Sequence, residues 1–138
     1  MKKLFVLQFL VLNVFLASAS FAEWRLVIRD DDSRDAHYID PSSIEYKNGY
    51  VYFEVLVDYG TPVARLDVQS MKVYKKTDCD SSSHADMILS YVAYSGQMSQ
   101  GEIITSRQAI NRKMNYDNPS QIGYKVIEEV CSIARDER

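Results

Sequence analysis

The chain has 138 residues, 46% of them hydrophobic and 25% charged, and a formal net charge of −3. Its basic residues are dispersed and outnumbered by acids, which excludes the clustered cationic surface that nucleic acid requires and disfavours attraction to anionic lipid. The length suits one small domain with a thin stability margin, for which a covalent staple between the two cysteines would help.

Met1-Lys2-Lys3 and the run LFVLQFLVLNVFLA read as the basic and apolar regions of an export signal. Ser20 and Ala22 suit a cut before Glu23, and Ala17 and Ala19 offer one three residues earlier. The apolar run is shorter than the ~20 residues of a membrane span, so cleavage is expected, with 1–22 as the signal and 23–138 as the single domain. No cysteine stands at the cut to carry a lipid. The mature chain, with 14 basic and 19 acidic residues, is expected to be periplasmic or secreted and not inserted in the membrane.

Trp24 to Arg29 reads as a short strand, RDDDSRDA as a charged loop, and HYID as an extended lead into Pro41. Asp30 to Asp32 lack the spacing, glycine and terminal glutamate of a calcium loop, so a hydrated turn is expected. The stretch SIEYKNGYVYFEVLV, residues 43–57, reads as a hairpin about a type I′ turn at Asn48-Gly49. That register sets Lys47 opposite Tyr50, Tyr46 opposite Val51 and Ile44 opposite Phe53. One face then collects Ile44, Tyr46, Val51, Phe53, Val55 and Val57. The other, carrying Glu45, Lys47, Tyr50, Tyr52, Glu54 and Asp58, reads as half-solvated, as in antiparallel sheet.

Gly60-Thr61-Pro62 reads as a chain break, with extended character resuming over 63–76, a polar turn over 79–83 and a strand over 87–94. Gly96 and Gly101 bracket a flexible connection. Glu102 to Thr105 suits a strand, while Ile103 to Ile110 suits a helix equally well. Asn118-Pro119-Ser120-Gln121 supplies an N-cap, a first-turn proline and a capping glutamine, and Ile122, Val126, Val130, Ile133 and Ala134 recur at helical spacing. Cys131 falls near the edge of that stripe, where it can reach a strand end. In an oxidising compartment Cys79 and Cys131 are expected to pair and tie the helix to the sheet.

No reaction is legible. His37 and His84 lie outside any nucleophile or metal motif and read as surface histidines. Cys79, Asp80, His84 and Asp86 lack zinc spacing, Asp78 and Asp80 would oppose a thiolate at Cys79, and no phosphate-binding glycine loop exists. No catalytic, cofactor or metal residue is assigned. The ten tyrosines are the one compositional excess; on the second face of the 43–57 hairpin, Tyr50 and Tyr52 are the candidate protein contacts, with Tyr59 beside them.

Taken together, WRLV after the signal, YIDPSSI at 38–44, SMKVYKKTDC at 70–79 and NPSQIGYKVIEEVC at 118–131 resemble the surface-adhesin protein E family. The resemblance implies an α+β fold: an antiparallel sheet of about six strands with a C-terminal helix held by a disulfide. It also implies a non-enzyme that binds host matrix or plasma proteins such as vitronectin and laminin, and that forms a homodimer. The chain departs from that pattern in lacking a lipoprotein cysteine and in having Trp24 as its only tryptophan. The alternative is a periplasmic structural or accessory envelope domain with no host ligand.

Overall fold

The computed structural model describes residues 22–82, 84–109 and 113–137. The expected export signal lies, apart from Ala22, outside the described residues. Strands β1 (Arg25–Arg29) and β2 (Ala36–Ile39) flank the acidic loop. The Asp30 carboxylate accepts from the amides of Asp32 at 2.8 Å and Ser33 at 2.7 Å. These backbone donors, Ser33 first, hold its pKa below the ordinary value, so the aspartate run folds as a self-capped turn. Asp40, buried, then caps a 3-10 turn at Pro41–Ser43 by accepting from the Ser42 amide at 2.9 Å and its hydroxyl at 2.6 Å.

The hairpin forms in the expected register: β3 (Glu45–Lys47) and β4 (Tyr50–Val63) pair Lys47 with Tyr50 and Tyr46 with Val51. Asn48 and Gly49 take φ of 53° and 80°, the left-handed pair that a type I′ turn demands. Ile44 stands just outside this ladder, at the end of the 3-10 turn, and still packs on the core.

β4 does not break at Gly60-Thr61-Pro62. It runs through them to Val63, and only its pairing with β5 (Val68–Thr77) is interrupted, the register stepping from Asp58↔Ser70 to Val63↔Val68. A proline has no N–H to give, so it interrupts the ladder and leaves the strand extended. The chain actually reverses at residues 64–67, where Arg65 and Asp67 take φ of 70° and 49°. Gly60 is needed for another reason: its amide donates to Asp35 Oδ1 at 2.9 Å, and a Cβ there would lie 2.4 Å from the Ser33 carbonyl oxygen. Gly60→Ala is therefore expected to lower stability by about 1–3 kcal/mol in denaturant unfolding. An unchanged midpoint would mean that the acidic loop is not held against β4.

β6 (Ala85–Tyr94) and β7 (Ile103–Gln108) complete an antiparallel sheet ordered β1-β2-β4-β5-β6-β7, with β3 beside β4 and β8 (Asn115–Tyr116) beside β6. Of the two readings of the 102–110 segment, the strand is the one formed, over Ile103–Gln108, and Ile110 lies outside the described residues. The connection over 96–101 is pinned rather than loose. The Met98 amide donates to Asp58 at 2.6 Å, the Ser70 hydroxyl donates to the Gly96 carbonyl at 2.6 Å, and the Ser99 amide donates to Ser70 Oγ at 3.0 Å. Asp58, expected to be half-solvated, is thereby only 9% exposed, and Leu56 on the same face is fully buried.

Helix α1 (Ile122–Asp136) lays Val126, Val130 and Ala134 on Ile39, Val51, Phe53 and Val55, which form the core. Ile122 and Ile133 pack at its margin, and Ile127, which the helical stripe did not single out, is buried as well. The helix begins three residues later than its capping signal suggests. Asn118, Pro119 and Ser120 form a turn in which Asn118 N–H donates to Gln121 Oε1 and Gln121 N–H to the Asn118 carbonyl. The glutamine's reach back to Asn118 survives, while the Asn118 side chain caps nothing. Cys79, just beyond β5, is bonded to Cys131 across a sequence separation of 52, so the disulfide ties the helix to the sheet as expected.

Candidate functional site

Because β4 alternates, burying Val51, Phe53 and Val55 under α1 turns Tyr50, Tyr52 and Glu54 to the opposite, helix-free face. There they meet β5. Tyr52 stands opposite Lys76 and Glu54 opposite Tyr74, and the contacts form along the diagonals. The rings of Tyr52 and Tyr74 stack with centroids 6.1 Å apart, and Lys76 Nζ sits 4.2 Å from the centroid of Tyr50. Both geometries are favourable, the first for offset aromatic pairs and the second for a cation over a ring. Lys72 approaches Glu54 at 3.7 Å. Burial, with Glu45 next, holds the Tyr74 hydroxyl above its ordinary pKa.

The result is a half-exposed patch of rigid aromatic rings interleaved with lysine stems. Such a surface combines large contact area with few rotatable bonds and offers hydroxyls and ammonium groups at its rim. It contains no nucleophile paired with a base.

Elsewhere three side chains singled out by the sequence are each engaged. Cys79 is in the disulfide, His84 stacks on Tyr124 at 3.9 Å, and Asp86 forms an ion pair with Lys75 at 2.5 Å. Among the described residues no group of three or more His, Cys, Asp or Glu is placed to hold a metal ion. His37 is less open than the surface position expected of it: it is half-buried between sheet and helix, beside a cavity. No described helix is long and apolar enough to cross a membrane.

The surface-adhesin protein E family model matches residues 24–132, which include every described strand and α1 as far as residue 132. The chain belongs to that family. Surface-adhesin protein E structures share its fold: crystal form II of Haemophilus influenzae protein E superposes with a TM-score of 0.54 at 19% identity, covering 83% of this chain and 91% of that one. Protein E from non-typeable Haemophilus influenzae gives 0.55 at 18% identity over 85% and 82% of the two chains. No curated protein matches the sequence significantly. Membership of the surface-adhesin protein E family makes this an adhesin-like protein, and the disulfide to the helix is the one expected of it.

Tyr50 and Tyr52 lie on one face, as their alternation requires. The sequence reading missed their partners Tyr74 and Lys76. The signal was present, since Lys72, Tyr74 and Lys76 alternate on β5, but using it requires the β4–β5 register, and the turn over 64–67 that sets this register is marked by Asp67 alone, with no glycine, proline or asparagine.

Proposed function

We propose that this chain is an exported, non-catalytic binding module, freed of residues 1–22, that presents the helix-free face of its sheet to a protein partner, a host matrix or plasma protein. The observation that carries the reading is the stacked Tyr52–Tyr74 pair with Lys76 over Tyr50, half-exposed in a member of an adhesin family. Tyr50 and Tyr52 are its anchors, because aromatic residues backed by packed neighbours dominate interface energetics.

The test is a Tyr50→Ala, Tyr52→Ala double variant assayed on immobilised vitronectin and laminin. A loss of affinity of about thirtyfold or more, the scale of one hot-spot residue, with an unchanged melting transition supports the proposal. Unchanged affinity removes this face from the interface. Protease treatment of intact cells separates this reading from that of a periplasmic accessory domain, which would be protected.

The homodimer belongs to the same proposal. It is supported by β7, an edge strand whose outer side pairs with no described strand and which exposes Ile103 and Ile104, with Arg107 the one charge within the strand and Glu102 just before it. Sedimentation of the mature chain at micromolar concentration checks it.

A further inference from the structure

On the helix side of the sheet, away from the tyrosines, the first turn of α1 stands off β4, β5 and β6 and leaves a cavity of about 240 Å³. Its walls are aliphatic, with Val57, Val73, Ile88 and Val126 among them, and its polar groups are the His37 imidazole and the Lys75 ammonium. An apolar cavity of ~150 Å³ suffices for a benzene-sized guest. The ammonium has three donors and uses one on Asp86 at 2.5 Å. The His37 ring makes no hydrogen bond to any described residue, and because among the described residues no fully buried side-chain nitrogen or oxygen lacks a partner, its nitrogens keep some exposure to solvent. The cavity thus joins an aliphatic body to spare donors from two side chains, the arrangement of a small-ligand site.

We propose that this cavity binds a small carboxylate with a compact aliphatic body, the body lying among the valines and the carboxylate on Lys75 and His37. Burial first, and Lys75 after it, hold His37 below its ordinary pKa of 6.5, against the opposing pull of Asp35 and Asp30. At neutral pH the ring is therefore uncharged and offers one N–H. Acidification adds a second positive charge beside Lys75, so carboxylate affinity rises as pH falls; by linkage, a bound carboxylate raises the His37 pKa. The other acids nearby are Asp86, already paired with Lys75, and Asp117, whose carboxyl burial and then Asp86 hold above its ordinary value. Asp117 therefore loses its opposing charge on acidification sooner than an ordinary aspartate would.

The proposal is tested by NMR on the mature chain, whose two histidines give separable imidazole signals, with 4-methylpentanoate as the probe and the alcohol and amine of the same carbon skeleton as controls. The expected result is a saturable shift of His37 and of the Val57, Val73 and Ile88 methyls with His84 unmoved. An upward-shifted His37 titration should accompany it, with binding tightening as the pH falls through that titration, by roughly two- to fivefold across it, the span of a partly solvated ion pair. His37→Gln should keep the methyl shifts and lose the pH dependence, and Val57→Phe should fill the cavity and abolish binding. Should Val57→Phe fail to fold, His37→Gln still decides. Equal or stronger binding of the alcohol or the amine, pH-independent binding by the parent chain, or no saturation by the carboxylate would overturn the assignment.

Discussion

Cys131→Ser is expected to destabilise the 23–138 domain by about 2–5 kcal/mol. The bond closes a sequence separation of 52, for which the loop-entropy argument gives about 4 kcal/mol. Little else could compensate. The ion pair between Arg25 and Glu129, which also joins sheet to helix, is 48% and 42% exposed at its two side chains, and a pair so open to solvent adds little. What remains is the His84–Tyr124 stack and the packing of Val126, Val130 and Ala134 on the sheet, with Ile122 and Ile133 at its margin and Ile127 buried beside them. Two measurements check the expectation: the denaturant midpoint, which should fall, and amide exchange over 126–134, which should quicken more than exchange in the β4–β5 ladder. Mass analysis of the exported parent without reductant should find both thiols blocked. Two free thiols, or a midpoint insensitive to Cys131→Ser, would mean that packing alone holds the helix.

Lys75→Met is expected to cost about 3–5 kcal/mol, although methionine nearly matches the lysine stem in volume. The reason is Asp86, 2% exposed and paired with Lys75 at 2.5 Å: removing the ammonium leaves a carboxylate in the interior without its counter-charge. The pair itself need not be strongly stabilising, because taking two charges out of water offsets most of their attraction. The informative experiment is therefore a double-mutant cycle. Lys75→Met combined with Asp86→Leu should recover most of the loss, giving a coupling well above the scatter of independent sites, about 0.5 kcal/mol. If Lys75→Met alone is neutral in urea unfolding, Asp86 reaches water or another donor and the pair is not what holds β5 and β6 together at that point.

Local chemistry was legible wherever one segment carries the whole decision. Asn48-Gly49 admits left-handed φ at two successive positions, and alternation about it left one register for the hairpin, so the placement of Tyr50 and Tyr52 on one face followed. The period of Ile122, Val126 and Val130 required a helix, and the two cysteines, expected to pair in an oxidising compartment, are bonded to each other. The first of the less legible points was the fate of residues 60–67. Pro62 looked like a strand end, but a proline is excluded only from a ladder hydrogen bond, and whether a ladder passes through it depends on a neighbouring strand. The 102–110 segment was ambiguous for a related reason. Ile103 and Ile104 suit either period, and pairing with β6 made it a strand.

What the sequence by itself determined, then, is the hairpin, the terminal helix, the staple between Cys79 and Cys131 and the family. These rest on turn chemistry, periodicity and covalent chemistry, each readable along the chain. Only the tertiary structure decided that the 96–101 loop closes over Asp58, that Tyr74 and Lys76 join Tyr50 and Tyr52, and that His37 and Lys75 share a cavity beneath α1. Each of these depends on residues tens of positions apart meeting across strands. The registers and packing that bring them together are set by the whole sheet, because each strand's pairing is determined by its neighbours as well as by its own sequence.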